Sequence, residues 1–208
     1  MAEKDNLVYL LDGKIYINLT NLCTNDCIFC IRRLKDDIVG ADMWLKNEKI
    51  TAKDVIAQLE KVSDKISKGV TFCGYGEPTI KADLIKEVSK YIKENYPDTK
   101  IRVNTNGHGN FINKRNIIED LKGLVDEFSI SLNAQDEKLY RELSQPKIDN
   151  AYEEVKKFAT NSVKAGIKTT LSVVTGYKNY NVDIEKCEKI AQEIGANFRN
   201  REWIENGY

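Results

Sequence analysis

The sequence has no apolar run that approaches the roughly 20 residues of a membrane-spanning helix. It also has no excess of charge, since 32 lysines and arginines balance 32 aspartates and glutamates. Bulk attraction to nucleic acid or to an acidic membrane is therefore not expected. The first residues, MAEKDNLVYL, lack the apolar core of an export signal, so we expect a cytoplasmic protein.

A disulfide framework is also not expected. The five cysteines are an odd number, and without an export signal their thiols should stay reduced. Three of them form a C-x₃-C-x₂-C run at Cys23, Cys27 and Cys30, one thiolate short of the usual four of an iron–sulfur cluster or structural zinc. Zinc would need His108 or Cys73 as fourth ligand, because no second cysteine pair follows. A four-iron cluster would instead keep one iron open.

Short β-rich runs alternate with longer helical patterns along the chain. Asp12-Gly13 predicts a hairpin turn before the first core strand. Core strands are predicted over 14–19, 70–73, 101–105, 127–132, 169–174 and 197–203, and helices over 51–65, 81–93, 116–121, 136–144, 150–165 and 183–194. This alternation indicates a parallel sheet of six strand–helix units, two short of a closed eight-fold barrel. Without a linker or repeat, residues 1–208 are predicted to form one domain.

Polar and glycine-rich segments follow five successive predicted strands, where α/β folds place their chemistry. Glu77 stands out among them, because a carboxylate beside bare glycine backbone can accept hydrogen bonds from an ammonium group. The segments are the cysteine loop, GYGEP at 74–78, NTNG at 104–107, Ser131 with Asn133, and Thr175-Gly176. We expect these segments to lie together at one edge of the sheet.

The cysteine run followed by G-x-G-E-P resembles the radical S-adenosylmethionine (radical SAM) superfamily. The resemblance implies an α/β fold, a partial (β/α)6 barrel with a mainly parallel sheet, here preceded by a short N-terminal β-hairpin. It implies a 4Fe-4S cluster held by Cys23, Cys27 and Cys30, with SAM chelating the open iron. More narrowly, INLTNLCTNDCIFCIR, RVNTNGHGN, ISLNAQ and RNREWI are similar to small radical SAM proteins associated with TatD-type nucleases.

The family pattern also implies a set of SAM contacts. Gly76 and Glu77 match the Gly-Gly-Glu motif that receives the amine, with Tyr75 in place of its first glycine. Strand-end residues would contact the ribose and carboxylate, and others would flank the adenine. The implied cofactor-binding residues are Phe29, Gly74, Gly76, Glu77, Asn104, Ser131, Asn133 and Val174. The acidic residues of a family cation site are replaced here by Asn104 and Ser131.

Four further residues receive simpler predictions. Cys73, within an apolar run, and Cys187, on a helix, are predicted to be core thiols, since free cysteine is among the most buried residue types. His108, in a Gly-His-Gly loop, is predicted to be solvated. Arg32 either covers the cofactor, holds an anionic substrate or is simply exposed.

The resemblance implies an oxidoreductase- or lyase-type enzyme. An external flavodoxin- or ferredoxin-like reductant would supply one electron, SAM would be cleaved to a 5′-deoxyadenosyl radical, and a hydrogen atom would leave the substrate. The substrate stays open between a small molecule and a protein, the latter in a glycyl-radical-type activase. RNA modification is less expected, because the chain has no room for an RNA-binding domain. A non-catalytic metal-cluster-binding module is the alternative from another class.

Overall fold

The computed structural model describes residues 5–204, and a seven-stranded sheet forms its centre. The ends of the predicted domain, 1–4 and 205–208, lie outside the described residues. The strands are β1 Val8–Leu11, β2 Lys14–Ile17, β3 Asp37–Ile38, β4 Ala41–Asp42, β5 Val70–Phe72, β6 Ile101–Thr105, β7 Glu127–Ser131, β8 Lys168–Thr175 and β9 Asn197–Glu202. The α-helices are α1 Ala52–Leu59, α2 Ala82–Asn95, α3 Gly109–Asn113, α4 Ile117–Leu121, α5 Glu137–Ser144, α6 Ala151–Lys164 and α7 Ile184–Ile194.

The sheet order is β1-β2-β5-β6-β7-β8-β9. Only the first pair is antiparallel, with Leu11 opposite Lys14 across the Asp12-Gly13 turn. Every later neighbour is parallel. The predicted α/β fold, with a mainly parallel sheet and an N-terminal β-hairpin, is therefore confirmed. Within the described residues, β1 and β9 are the two free edges.

The predicted helix over 51–65 is correct at its start and wrong at its end. Thr51 and Asp54 form the expected capping box. The α-helix ends at Leu59, and a 3₁₀ segment with a break at Val62 continues to Lys68. The pattern also missed the β3–β4 pair and α3, because elements of two to five residues are too short to show a period.

The two faces of the sheet differ in polarity. One face packs under the helices through apolar side chains, such as Phe128 against Phe158 of α6, with ring centroids 5.3 Å apart. The side chains of successive strand residues point to opposite faces of the sheet. The residues that alternate with the apolar ones therefore point to the other, inner face. The inward residues include Thr71, Arg102, Asn104, Ser129 and Ser172, and they line a cavity. The apolar face thus packs against the helices, and the opposite face lines a polar cavity.

Candidate functional site

The three clustered cysteines lie on the loop that follows β2. The amide of Cys30 donates to the carbonyl of Cys27 at 3.1 Å, which curls the loop. Its backbone is fastened to the end of α5, because Ile28 N donates to Leu143 O at 3.0 Å and Asp26 N to Ser144 O at 3.1 Å. All three cysteines are half-buried. The loop therefore presents its thiols from a fixed backbone.

Burial dominates the electrostatics of this loop. It raises the pKa of Cys23 to about 11, with a further rise from the charge of Glu77. It raises the pKa of Cys27 to about 12, with smaller contributions from Cys30 and Cys23. The chain alone thus keeps these two thiols protonated at neutral pH, and a bound metal would have to displace the protons. Within residues 5–204, no three Cys, His, Asp or Glu side chains are arranged to hold a single metal ion.

His108 is wholly buried, so the prediction of a solvated loop residue is wrong. Its Nε2 lies 3.1 Å from Ala151 O, and a carbonyl can only accept, so Nε2 carries the proton. Nδ1 therefore accepts from Thr24 Oγ1 at 2.9 Å, and Thr24 Oγ1 accepts from Asn106 Nδ2 at 2.8 Å. The ring lies between α6 and the cysteine loop. Local loop composition could not reveal this non-local packing.

Two chains of hydrogen bonds lead from this histidine to the cysteine loop. Asn106 Nδ2 also lies 3.8 Å from Cys23 Sγ. On the other side, Tyr140 Oη lies 3.2 Å from His108 Nε2 and accepts from Asn25 Nδ2 at 3.1 Å. Hydrogen bonds to sulfur orient metal ligands and tune cluster potentials. The side chain of His108 therefore stabilises the cysteine loop on the side that faces α6.

We expect replacement of His108 with leucine to remove an acid-dependent loss of stability. Burial lowers the pKa of His108 to about 4 from its usual 6.5. Between these values the unfolded chain binds a proton that the folded chain does not, so the free energy of unfolding falls as the pH falls. The expected loss is about 3 kcal/mol by pH 4. Urea denaturation of both proteins between pH 7.5 and pH 5 measures the difference in slope, and parallel curves would contradict it.

The GYGEP segment follows β5 and packs directly on the cysteine loop. A Cβ added at Gly76 would lie 2.2 Å from Thr20 O, and one at Gly74 would lie 2.0 Å from Asn18 Oδ1. Glu77 N donates to Leu22 O at 2.7 Å, one residue before Cys23. These glycines therefore serve the approach of two protein segments. The side chain of Tyr75 also lines the large cavity and donates to Lys35 O at 2.5 Å.

The carboxylate of Glu77 is almost fully buried and accepts four internal hydrogen bonds. Oε1 accepts from Thr79 N at 3.0 Å, Thr79 Oγ1 at 2.6 Å and Thr105 Oγ1 at 2.7 Å. Oε2 accepts from Asn106 N at 2.6 Å. Burial raises the pKa of Glu77, and the four donors oppose that rise. One acceptor position on Oε2 is left for a ligand, so an amine contact there stays a prediction.

A cavity of about 370 Å³ opens at the carboxyl ends of the strands. It brings together seven of the predicted site residues, namely Cys23, Cys30, Gly74, Gly76, Glu77, Asn104 and Ser131. Phe29 and Val174 line an adjoining cavity of about 240 Å³, which shares Cys30 with the first. Cys27 lines neither cavity. Asn133 is buried behind the cysteine loop, with Nδ2 donating to Ser144 Oγ at 3.0 Å.

The other two cysteines have different surroundings. Cys187 is fully buried on α7, as predicted. Cys73 lies just beyond β5 and lines the large cavity, so the prediction of a core thiol is wrong. The strand ends one residue earlier than the apolar run suggested.

Arg32 makes its contacts within the cysteine loop. It donates to Asn25 O at 3.3 Å and to Asp26 Oδ1 at 3.1 Å, and its side chain is 12% exposed. Sequence reasoning missed the arginines of the large cavity, Arg102, Arg199 and Arg201. The signal was available, because Arg102 is two residues from Asn104 and must share its face of β6.

One family model and two curated relatives match this chain. The model of the Radical SAM superfamily matches residues 17–193. A relative from Methanocaldococcus jannaschii, "Uncharacterized protein MJ0907", is 29% identical over 126 residues, 60% of this chain and 40% of that protein. The 5-amino-6-(D-ribitylamino)uracil–L-tyrosine 4-hydroxyphenyl transferase of Microcystis aeruginosa is 31% identical over 102 residues, 45% of this chain and 24% of that protein. The matches thus span less than half of either relative.

Solved structures show the same fold. SuiB of Streptococcus suis bound to S-adenosylmethionine matches with a TM-score of 0.69 and 23% identity, over 91% of this chain and 40% of that one. Native anSMEcpe with bound AdoMet matches with a TM-score of 0.64 and 16% identity, over 91% of this chain and 50% of that one. Within residues 5–204, the helices are too short or too polar to cross a bilayer.

Proposed function

Because the chain belongs to the radical SAM superfamily, whose members are enzymes that use SAM and an iron–sulfur cluster, we propose that it cleaves SAM reductively. In this proposal Cys23, Cys27 and Cys30 hold a 4Fe-4S cluster, and a hydrogen atom is removed from a substrate. When bound, the cluster and SAM together supply a carbon-centred radical, the part of the chemistry that the chain cannot perform. The chain itself binds, orients and shields.

The observation that carries the proposal is the joint placement of the thiols and GYGEP. Cys23 and Cys30 open into the same cavity as Gly74, Gly76 and Glu77. Three thiolates for four irons leave one iron available to a ligand in that cavity. The thiols are not arranged around one point as the ligands of a single zinc ion are. A cuboidal cluster takes each thiolate on a different iron, so its three ligands need not converge on one ion.

The remaining residues suit the parts of SAM. Asn104 and Ser131 present an amide and a hydroxyl to the cavity, as ribose and carboxylate groups need. Phe29 packs edge-on against Tyr177 at 6.0 Å beside the adjoining cavity, where Val174 adds an aliphatic wall. An adenine ring favours such an aromatic and aliphatic slot. The carboxylate of Glu77 is buried and accepts four hydrogen bonds. These bonds fix the segment that follows β5 beside the residues suited to SAM.

Partners and subfamily are part of the same proposal. An external flavodoxin- or ferredoxin-like protein supplies the electron. The substrate is a small molecule or a protein, the latter in a glycyl-radical-type activase. Membership of the small TatD-associated group stays a prediction that rests on the sequence segments alone, and a cytoplasmic location stays one that rests on the N-terminal residues.

Replacement of Cys23, Cys27 and Cys30 together with alanine tests this function. The anaerobically reconstituted wild type should hold about four iron and four sulfide per chain. With dithionite it should form 5′-deoxyadenosine and methionine from SAM, whereas the triple variant should hold no cluster and form neither. Iron analysis and liquid chromatography measure both. Cys187→Ala is the matched control, since it removes a thiol far from the cavities and should keep the iron.

Three other results would contradict the proposal. Zinc in place of iron, with no visible chromophore, would remove the cluster. Formation of S-adenosylhomocysteine would point to methyl transfer. A full, reducible cluster without any SAM cleavage would favour the non-catalytic module.

A further inference from the structure

Three arginines line the large cavity, one on β6 and two on β9. Resting on the proposed function, we propose that its substrate is a small organic anion, with a carboxylate or phosphate group bound by Arg102 and Arg199. Arg102 rises from the second position of β6, deep in the cavity, and Arg199 lies on β9 at the open edge of the sheet. The substrate would thus lie between these two arginines and the cysteine loop.

Arg102 donates one hydrogen bond, to a neutral group, and forms one long ion pair, with Glu127, so most of its N–H groups are left for a ligand. Its Nε donates to Asn104 Oδ1 at 3.0 Å, which aligns the guanidinium. Its Nη1 is 4.0 Å from Glu127 Oε1, too long for a hydrogen bond. Glu127 is already engaged by Lys168 Nζ and Thr170 Oγ1, each at 3.2 Å. A planar fork of this kind matches the two oxygens of a carboxylate or phosphate.

The charges along the cavity wall favour an anion. Three arginines, Arg102, Arg199 and Arg201, line it, against one carboxylate, Glu77, whose oxygens accept four internal hydrogen bonds. Arg102 and Arg201 line this cavity together with the thiol-bearing residue Cys73. A concave site lined by one sign of charge concentrates ligands of the opposite sign.

Arg102 begins near the bottom of the cavity, with its Cα well below the level of the cysteine loop. Asn106, whose amide is 3.8 Å from Cys23 Sγ, lies four residues further along the chain. At about 3.3 Å per residue, Arg102 Cα is roughly 13 Å from that level. The hydroxyls of Thr71 and Ser129 line the wall nearby and add donors for a second molecule. The cavity of about 370 Å³ must also take SAM, which leaves room only for a small second molecule.

Calorimetric titration of the reconstituted, SAM-loaded protein tests the site, with inorganic phosphate and succinate as separate probes at low ionic strength. We expect saturable binding of at least one probe at one site per chain. Arg102→Ala and Arg199→Ala should each weaken it by about tenfold, the effect of losing one charge-assisted hydrogen bond, and weaken SAM binding by less. Phosphate alone would identify a phosphate ester, and succinate alone a carboxylic acid. Arg199 is exposed, so its variant should fold even if Arg102→Ala does not.

Arg141→Ala is the matched control, because Arg141 is an exposed arginine on α5 paired with Glu137. It should bind the probe as the wild type does. No saturable binding, equal weakening in Arg141→Ala, or full affinity in both cavity variants would overturn the anion site. SAM cleavage measured on the same samples separates the two proposals. Probe binding without cleavage would remove the radical function alone, and cleavage without probe binding would remove the anion site alone.

Discussion

Replacing Glu77 with alanine is expected to lower the free energy of unfolding by about 2–5 kcal/mol, beyond any effect on cofactor binding. The change strands two backbone amides, Thr79 N and Asn106 N, and two threonine hydroxyls inside the protein. Buried donors without acceptors carry the full cost of lost hydration. Since Asn106 also contacts Cys23, the iron bound per chain should fall as well. Urea denaturation and iron analysis measure the two effects.

Two variants calibrate the change at Glu77. Glu77→Gln keeps the shape and one acceptor oxygen but turns an amide donor toward another donor, so an intermediate loss is expected. Glu94→Ala removes an exposed carboxylate with one long ion pair to Lys90, and little loss is expected. If Glu77→Ala matches Glu94→Ala in stability and only SAM affinity falls, the carboxylate serves the cofactor and not the fold.

The sheet was predictable because its signal is local and periodic. In β6, apolar Ile101 and Val103 alternate with polar Arg102 and Asn104, and this period of two needs no knowledge of the neighbouring strands. The Asp12-Gly13 turn likewise fixed the register of the hairpin. The kink at Val62 was not predictable, because the helical spacing of apolar residues continues through it. Tertiary packing decided where that helix ends.

The site was predictable in composition and much less so in its contacts. A motif names Cys23, Glu77 and Gly76, and the strand order then brings them to one cavity. It does not say that Glu77 accepts from residues on the next strand, 28 and 29 positions away. It also hid the burial of His108, whose partner Ala151 is 43 positions away. Such contacts join elements that are distant in the chain, so the local sequence around either residue does not reveal them.

Gly76→Ala is expected to destabilise the fold by about 3 kcal/mol and to abolish the proposed binding of the cluster. The new Cβ would lie 2.2 Å from Thr20 O and 2.6 Å from Leu22 O, far inside van der Waals contact. Both atoms are backbone, so relief requires movement of the segment that leads into Cys23. That movement would also stretch the 2.7 Å hydrogen bond from Glu77 N to Leu22 O. Iron per chain after reconstitution and urea denaturation would show the loss.

Gly123→Ala separates this clash from the general cost of losing a glycine. Gly123 has a positive φ of 79° and no heavy atom within 4 Å of an added Cβ, so it bears only the left-handed strain of about 1–2 kcal/mol. It lies in the turn between α4 and β7, and its variant should bind iron normally. If Gly76→Ala loses no more stability than Gly123→Ala and keeps its iron, the two loops are not packed as described. A greater loss of stability in Gly76→Ala than in Gly123→Ala would show that the cysteine loop needs this glycine in order to pack against GYGEP.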